Sequence, residues 1–264
     1  MIILQTAFTT PVVIHKDPMI QVQGVSKEFK VGVRAKKIRA LEDLTLEVHK
    51  GEVFGFLGPN GAGKSTAIKI LLNLIYPDKG KVTIMGRDVG DKSIRRFIGY
   101  LPENPYFYDY LTSEELLWFG ARTSGLDKHD IREKTERVLN KVRLHEARKR
   151  PLRTYSKGML QRAGLALALI HDPELVILDE PMSGLDPIGR KMVGDLILEL
   201  KAQGKTVFFS SHILTDIERF CDRAGIIVGG KLRLVDKLDT LLSGASTLED
   251  VFLREVEAAG GGEG

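Results

Sequence analysis

The 264-residue chain has little of several things that would settle its nature at once. It has a single cysteine, Cys221, so no intramolecular disulfide can form, and a lone thiol fits a reducing compartment. It has no long apolar run. Leu165 to Ile170 is six residues long before His171 and Asp172 interrupt it, whereas a membrane span needs about 18 or more. No basic stretch precedes the short apolar segment at the N-terminus, which argues against a secretory signal. Net charge is also small. Lys and Arg total 39 against 35 Asp and Glu, leaving +4, which permits contact with nucleotides or lipid headgroups but is less than a dedicated nucleic-acid binder carries. His49, His129, His145 and His171 show no metal-ligand spacing. No repeat at a solenoid period is visible. What is present is ordinary: 43% apolar and 28% charged residues, which excludes disordered, collagen-like and coiled-coil chains. The expectation is a soluble chain kept inside the cell, reaching any membrane only through a partner.

Residues 1–18, with Thr9, Thr10, Pro11 and Pro18, read as an N-terminal extension. From Met19 the apolar residues Ile20, Val22 and Val25 alternate with polar ones as far as Phe29, and Leu41 to Val48 forms a second strand region. Val53 to Leu57 is a buried-strand run followed by a glycine-rich loop and a helical pattern through Leu74. Val82 to Met85 is another short strand. From about Leu111 to Val142 the periodicity is helical, with Thr112 and Glu115 spaced as a capping box. A further helix is expected over Lys157–Ile170. Strands at Leu175–Leu178, Thr206–Ser210 and Ile226–Val228 then alternate with helices at Gly189–Leu200 and Leu214–Phe220. That alternation predicts βαβ units and a mostly parallel sheet, with a helix-rich insert of roughly 65 residues between its halves. Trp118 is expected inside the insert, and Cys221 buried in a helix.

Gly58, Pro59, Asn60, Gly61, Ala62, Gly63, Lys64, Ser65 and Thr66 fit G-x-x-x-x-G-K-[ST], between a buried strand and a helix. Glycines let the loop wrap phosphates closely, successive N–H groups point inward, and the helix N-terminus adds its positive dipole end. Lys64 would neutralise the β- and γ-phosphates, and the Ser65 hydroxyl would reach Mg2+. Downstream, Leu175 to Leu178 runs into Asp179-Glu180-Pro181. A buried strand would hold Asp179 rigidly toward the metal, leaving Glu180 to polarise a water as general base. The alternative is two solvated acids at the exposed end of a strand.

With both elements present, the chain resembles the ATP-binding subunits of ABC transporters over roughly residues 19–242. Three further segments carry the resemblance: Tyr155-Ser156-Lys157-Gly158-Met159-Leu160-Gln161-Arg162 is similar to the LSGGQ signature, Ser183-Gly184-Leu185-Asp186-Pro187 to the D-loop, and Ser210-Ser211-His212 to the switch histidine. The resemblance implies a P-loop α/β fold with a mostly parallel core sheet, an antiparallel β subdomain and an α-helical subdomain at about 104–170. Residues 243–264 would form a C-terminal helix and flexible tail. It further implies a head-to-tail dimer that binds ATP and Mg2+ between subunits. Ser156 and Gly158 would touch the γ-phosphate from the opposite subunit, Asp186 would link the two sites, and His212 would sense the γ-phosphate. Phe29, about 30 residues ahead of the phosphate loop, would stack on adenine; core packing is the alternative for it.

Two departures stand out. Lys157 and Met159 replace the usual Gly and Gln of the signature, and Glu103 stands where the family has a metal-binding Gln. These variants, and Thr247 to Leu253 near the C-terminus, resemble the export-type subgroup acting on drugs, lipids, polysaccharides or antibiotics. The implied partners are integral membrane permease subunits and a second ATP-binding subunit, with the chain peripheral on the cytoplasmic membrane face and no nucleic acid involved. Pro105 to Tyr110 would form the docking lip. An ATPase acting on ribosomes or DNA, and a nucleotide-binding regulator, are the competing classes. The basic cluster Lys27, Lys30, Arg34, Lys36, Lys37 and Arg39, and the group Arg148, Lys149, Arg150 and Arg153, read as solvated surface or as contacts for anionic partners.

Overall fold

The computed structural model describes residues 18–31, 36–243 and 247–260. The expected N-terminal extension therefore lies outside the described residues up to position 17, as do Arg34, the side chain of Lys36 and the glycine tail from 261. The strands are β1 (Pro18–Val31), β2 (Lys36–His49), β3 (Val53–Leu57), β4 (Lys79–Ile84), β5 (Arg87–Asp88), β6 (Ile98–Leu101), β7 (Leu175–Asp179), β8 (Thr206–Ser211), β9 (Arg223–Val228) and β10 (Lys231–Lys237). The helices are α1 (Lys64–Leu71), α2 (Ser113–Thr123), α3 (Lys128–Lys141), α4 (Lys157–Leu169), α5 (Pro187–Ala202), α6 (Leu214–Phe220), α7 (Leu238–Leu242) and α8 (Leu248–Gly260).

Two sheets form. One is antiparallel, in the order β2-β1-β4-β5; the other runs β10-β9-β3-β8-β7-β6 and is parallel except for β10. The α/β class, the antiparallel subdomain and the helical insert thus match expectation. The parallel strands are apolar on both faces because both faces are covered. Phe54, Phe56, Ile177 and Phe208 join the core shared with β1, β2 and α1. Their neighbours Val53, Leu57, Val176, Leu178, Val207 and Phe209 join the core of the helical insert, α5 and α8. Side chains alternate across a strand with period 2, so β3, β7 and β8 each serve both cores. Each such side chain, once fully buried, contributes about 1.5–3 kcal/mol.

The expected helical region at 111–142 is two helices. α2 ends at Thr123, Gly125 turns the chain at φ +81°, and Asp127 caps α3 by accepting from the His129 N–H at 3.2 Å. Trp118 is not inside the insert: it is 54% exposed on α2, with Arg122 over its ring. Cys221 lies just past the end of α6 rather than within a helix. Its Sγ packs against Gly55 of β3, and burial pushes its thiol well above the usual range. The first basic cluster is partly satisfied internally, since Lys27 pairs with Asp78 at 2.8 Å and Arg39 with Glu42 at 2.9 Å.

Candidate functional site

At the carboxyl ends of β3, β7 and β8 lies a cavity of about 540 Å³, the place where parallel sheets bind ligands. Its wall includes Pro59, Asn60, Gly61, Ala62, Gly63, Lys64, Ser65 and Thr66, with Glu103, Glu180, Ser183 and His212 facing the loop. Ile38, Arg39 and Ala40 of β2 close the remaining side.

The loop's shape follows from its glycines. Gly63 caps α1 at φ +108°, and a Cβ there would sit 2.5 Å from the Ala40 carbonyl oxygen. Only glycine permits both the left-handed turn and that approach of β2. Gly58 is a packing glycine rather than a wall residue: a Cβ on it would meet the Ile227 carbonyl oxygen at 2.4 Å. Lys64 is only 7% exposed. Its ammonium donates to the Gly58 carbonyl at 2.6 Å and the Pro59 carbonyl at 3.3 Å, and lies 3.4 Å from Glu180 Oε1. The other Glu180 oxygen is 2.8 Å from His212 Nδ1. Lys64, Glu180 and His212 therefore form one bonded chain along the wall, with the carboxylate oriented from both sides. A base held by a third group in this way is the geometry that water activation requires.

Asp179 and Glu180 are not solvated. They are 4% and 7% exposed. Asp179 stands behind the wall, with Ser210 Oγ donating to its Oδ1 at 2.6 Å. Among the described residues no Lys, Arg or His nitrogen lies within 4.0 Å of Asp179. Tyr100 cannot balance its charge either: burial first, then the negative field of Asp179, pushes that phenol up to about 12. A buried carboxylate without a cation is costly, so the site suits a bound cation. Ser65 and Glu103 on the wall and Asp179 behind it are hard oxygen donors, which fit Mg2+ completed by phosphate oxygens and water.

The other expected residues are spread around this centre. Phe29 is not on the cavity wall. It is 37% exposed, lies across the β1–β2 ladder from the wall residue Ile38, and therefore shares that residue's sheet face. Ser156 and Asp186 are helix caps. Ser156 Oγ accepts from the Met159 N–H at 3.2 Å, and Asp186 Oδ1 accepts from the Gly189 N–H at 2.6 Å. Neither they nor Gly158 lines this cavity. Lys157 lies against the turn of Gly184, where a Cβ would meet its Cε at 2.8 Å. Two residues inside the quoted motifs have contacts that the motifs do not assign: Ser210, and the buried Gln161, whose amide donates to the Pro181 carbonyl at 3.4 Å. The first is visible only in the strand register.

A family profile described as ABC transporter matches residues 41–183, more than half of the chain. This chain belongs to the ABC transporter family. It is an ATP-binding and ATP-hydrolysing subunit. The subunit is 45% identical over 252 residues to an uncharacterized ABC transporter ATP-binding protein of Synechocystis, covering 92% of this chain and 71% of the relative. It is 35% identical over 238 residues to the lantibiotic transport ATP-binding protein SrtF of Streptococcus pyogenes, covering 90% and 97%. Among solved structures, a dimeric ATP-binding cassette in a post-hydrolysis state with ADP and Pi superposes with a TM-score of 0.77 at 26% identity, covering 83% and 99%. No helix of the described residues is long and apolar enough to cross a membrane.

Proposed function

We propose that this subunit drives an exporter from the cytoplasmic face of the cell membrane, working as a homo- or heterodimer in which each ATP is held between two subunits. The observation that carries the reading is the Lys64–Glu180–His212 chain on a single wall. Lys64 and the loop N–H groups hold the β- and γ-phosphates. Glu180 accepts the proton of the attacking water, and His212 fixes its carboxylate. Ser65 and Asp179, with Glu103 on the wall, would hold Mg2+, which would supply charge neutralisation at the phosphates. Phe29 stacks on the adenine. Ser156, Gly158 and Asp186 serve the opposite subunit's nucleotide, which accords with their place outside this cavity.

The membrane partner docks beside Glu103. Tyr106, Tyr108 and Tyr110 are 96%, 69% and 63% exposed, and Trp118 and Phe119 on α2 add 54% and 57%. A group of exposed aromatics of this size supports a partner surface. The named lantibiotic transport relative supports a lantibiotic-like cargo.

The test is Glu180→Gln. ATP binding should persist while hydrolysis slows by roughly 10²–10⁴, and sedimentation with Mg2+ and ATP should show doubled mass. Full turnover in this variant would remove Glu180 as the base.

A further inference from the structure

Ser210 sits between the two strands that build the site. β8 lies between β3, which runs into the phosphate loop, and β7, which ends in the acids. Ser210 is in register with Phe56 on one side and Asp179 on the other, and register partners project to the same face of a sheet. Its side chain is fully buried at 0% exposure. The hydroxyl is 2.6 Å from Asp179 Oδ1 and 3.0 Å from the Glu180 backbone nitrogen.

The directions of these two bonds are forced. An amide N–H can only donate, so the hydroxyl accepts from Glu180 and must spend its single proton on Asp179. That bond occupies Oδ1, leaving Oδ2 without a hydrogen-bond partner among the described residues. The second bond restrains a costly conformation. Glu180 has φ +50°, a left-handed value that is unfavourable for a residue with a Cβ. Leaving the strand in that conformation lets its carboxylate reach Lys64 and His212 instead of following Asp179.

We propose that Ser210 is a positioning residue for hydrolysis: through one hydroxyl it fixes the Asp179 carboxylate and the Glu180 backbone relative to each other. This rests on the reading of Asp179 as the cation's carboxylate and Glu180 as the base. Partners of this kind orient the groups that bind metal and are worth about 10–100-fold in affinity or activity.

The experiment compares Ser210→Ala, Ser210→Cys and Glu180→Gln with the parent subunit. Steady-state hydrolysis is measured, with Mn2+ binding by electron paramagnetic resonance in the presence of a non-hydrolysable ATP analogue. ATP binding in EDTA and urea unfolding are followed in parallel. Ser210→Ala should lower kcat about 10–100-fold and weaken Mn2+ by about tenfold, with ATP affinity in EDTA within about twofold of the parent. Mn2+ binding and EDTA binding separate orientation of Asp179 from a general loosening of the fold. If Ser210→Ala does not fold, Ser210→Cys replaces the hydroxyl by a weaker donor of similar size and should shift both quantities the same way. Parental kcat and Mn2+ affinity in a folded Ser210 variant, while Glu180→Gln is slow, would overturn the role of Ser210 alone. Parental turnover in Glu180→Gln would overturn the underlying reading instead.

Discussion

Lys64 shows how much one buried side chain can be asked to do. It is 7% exposed and has three acceptors within 3.4 Å, two of them carbonyls of its own loop. Those carbonyls hold the ammonium at the cavity wall, so a phosphate bound there would meet a cation already in place. Charge-assisted bonds to phosphate are stronger than neutral ones, at about 1.5–3 kcal/mol each. Lys64→Ala should therefore weaken ATP binding by at least about a hundredfold, as titration calorimetry can show; parental affinity would contradict the cradle. Such residues are legible because the motif fixes type and spacing together. Ser210 is not: it is one of two adjacent serines before His212, and only its pairing with Asp179 distinguishes it.

Among the elements, β6 and α4 approach each other closely. A Cβ on Gly99 of β6 would stand 2.2 Å from the Ala168 carbonyl oxygen of α4, and one on Gly164 would meet Leu101 Cδ1 at 2.7 Å. The backbone at Gly99 cannot yield as a flexible side chain would. Gly99→Ala should cost about 1–3 kcal/mol through overpacking, read as a lower urea midpoint at unchanged slope; an unchanged midpoint would mean that the strand and helix can separate freely. Legibility divided in the same physical way. β3, β7 and β8 are covered on both faces and read as unbroken apolar runs. β6 is four residues long and follows directly on a 3₁₀ helix (Lys92–Phe97), while β10 (Lys231–Lys237) has no residue buried, so neither carries a clear pattern. The break between α2 and α3 is not legible because apolar residues recur on both sides of Gly125. The exposure of Trp118 is not legible either, because apolar content alone does not tell a buried face from an exposed one.

On the scale of the whole molecule, two cores meet across the larger sheet, and the cavity lies at the carboxyl ends of its interior strands β3, β8 and β7. His171, in the turn between α4 and β7, ties these layers together. Its Nε2 is 3.1 Å from the Ile98 carbonyl oxygen, and its Nδ1 is buried with no partner among the described residues. Burial lowers the pKa of this imidazole, and Lys134 and Lys205 lower it further; the Ile98 carbonyl and Asp172 oppose them but do not prevail. The folded state thus takes up this proton later than the unfolded chain as pH falls. Stability is fully present above the ordinary histidine value of about 6.5 and is lost as pH drops from there toward the lowered value. Urea midpoints at pH 7.5 and 5.5 should fall more in the parent than in His171→Gln, whose amide can still donate to the Ile98 carbonyl but does not titrate. Equal falls in both proteins would place the acid sensitivity elsewhere and leave His171 as a hydrogen-bond donor only.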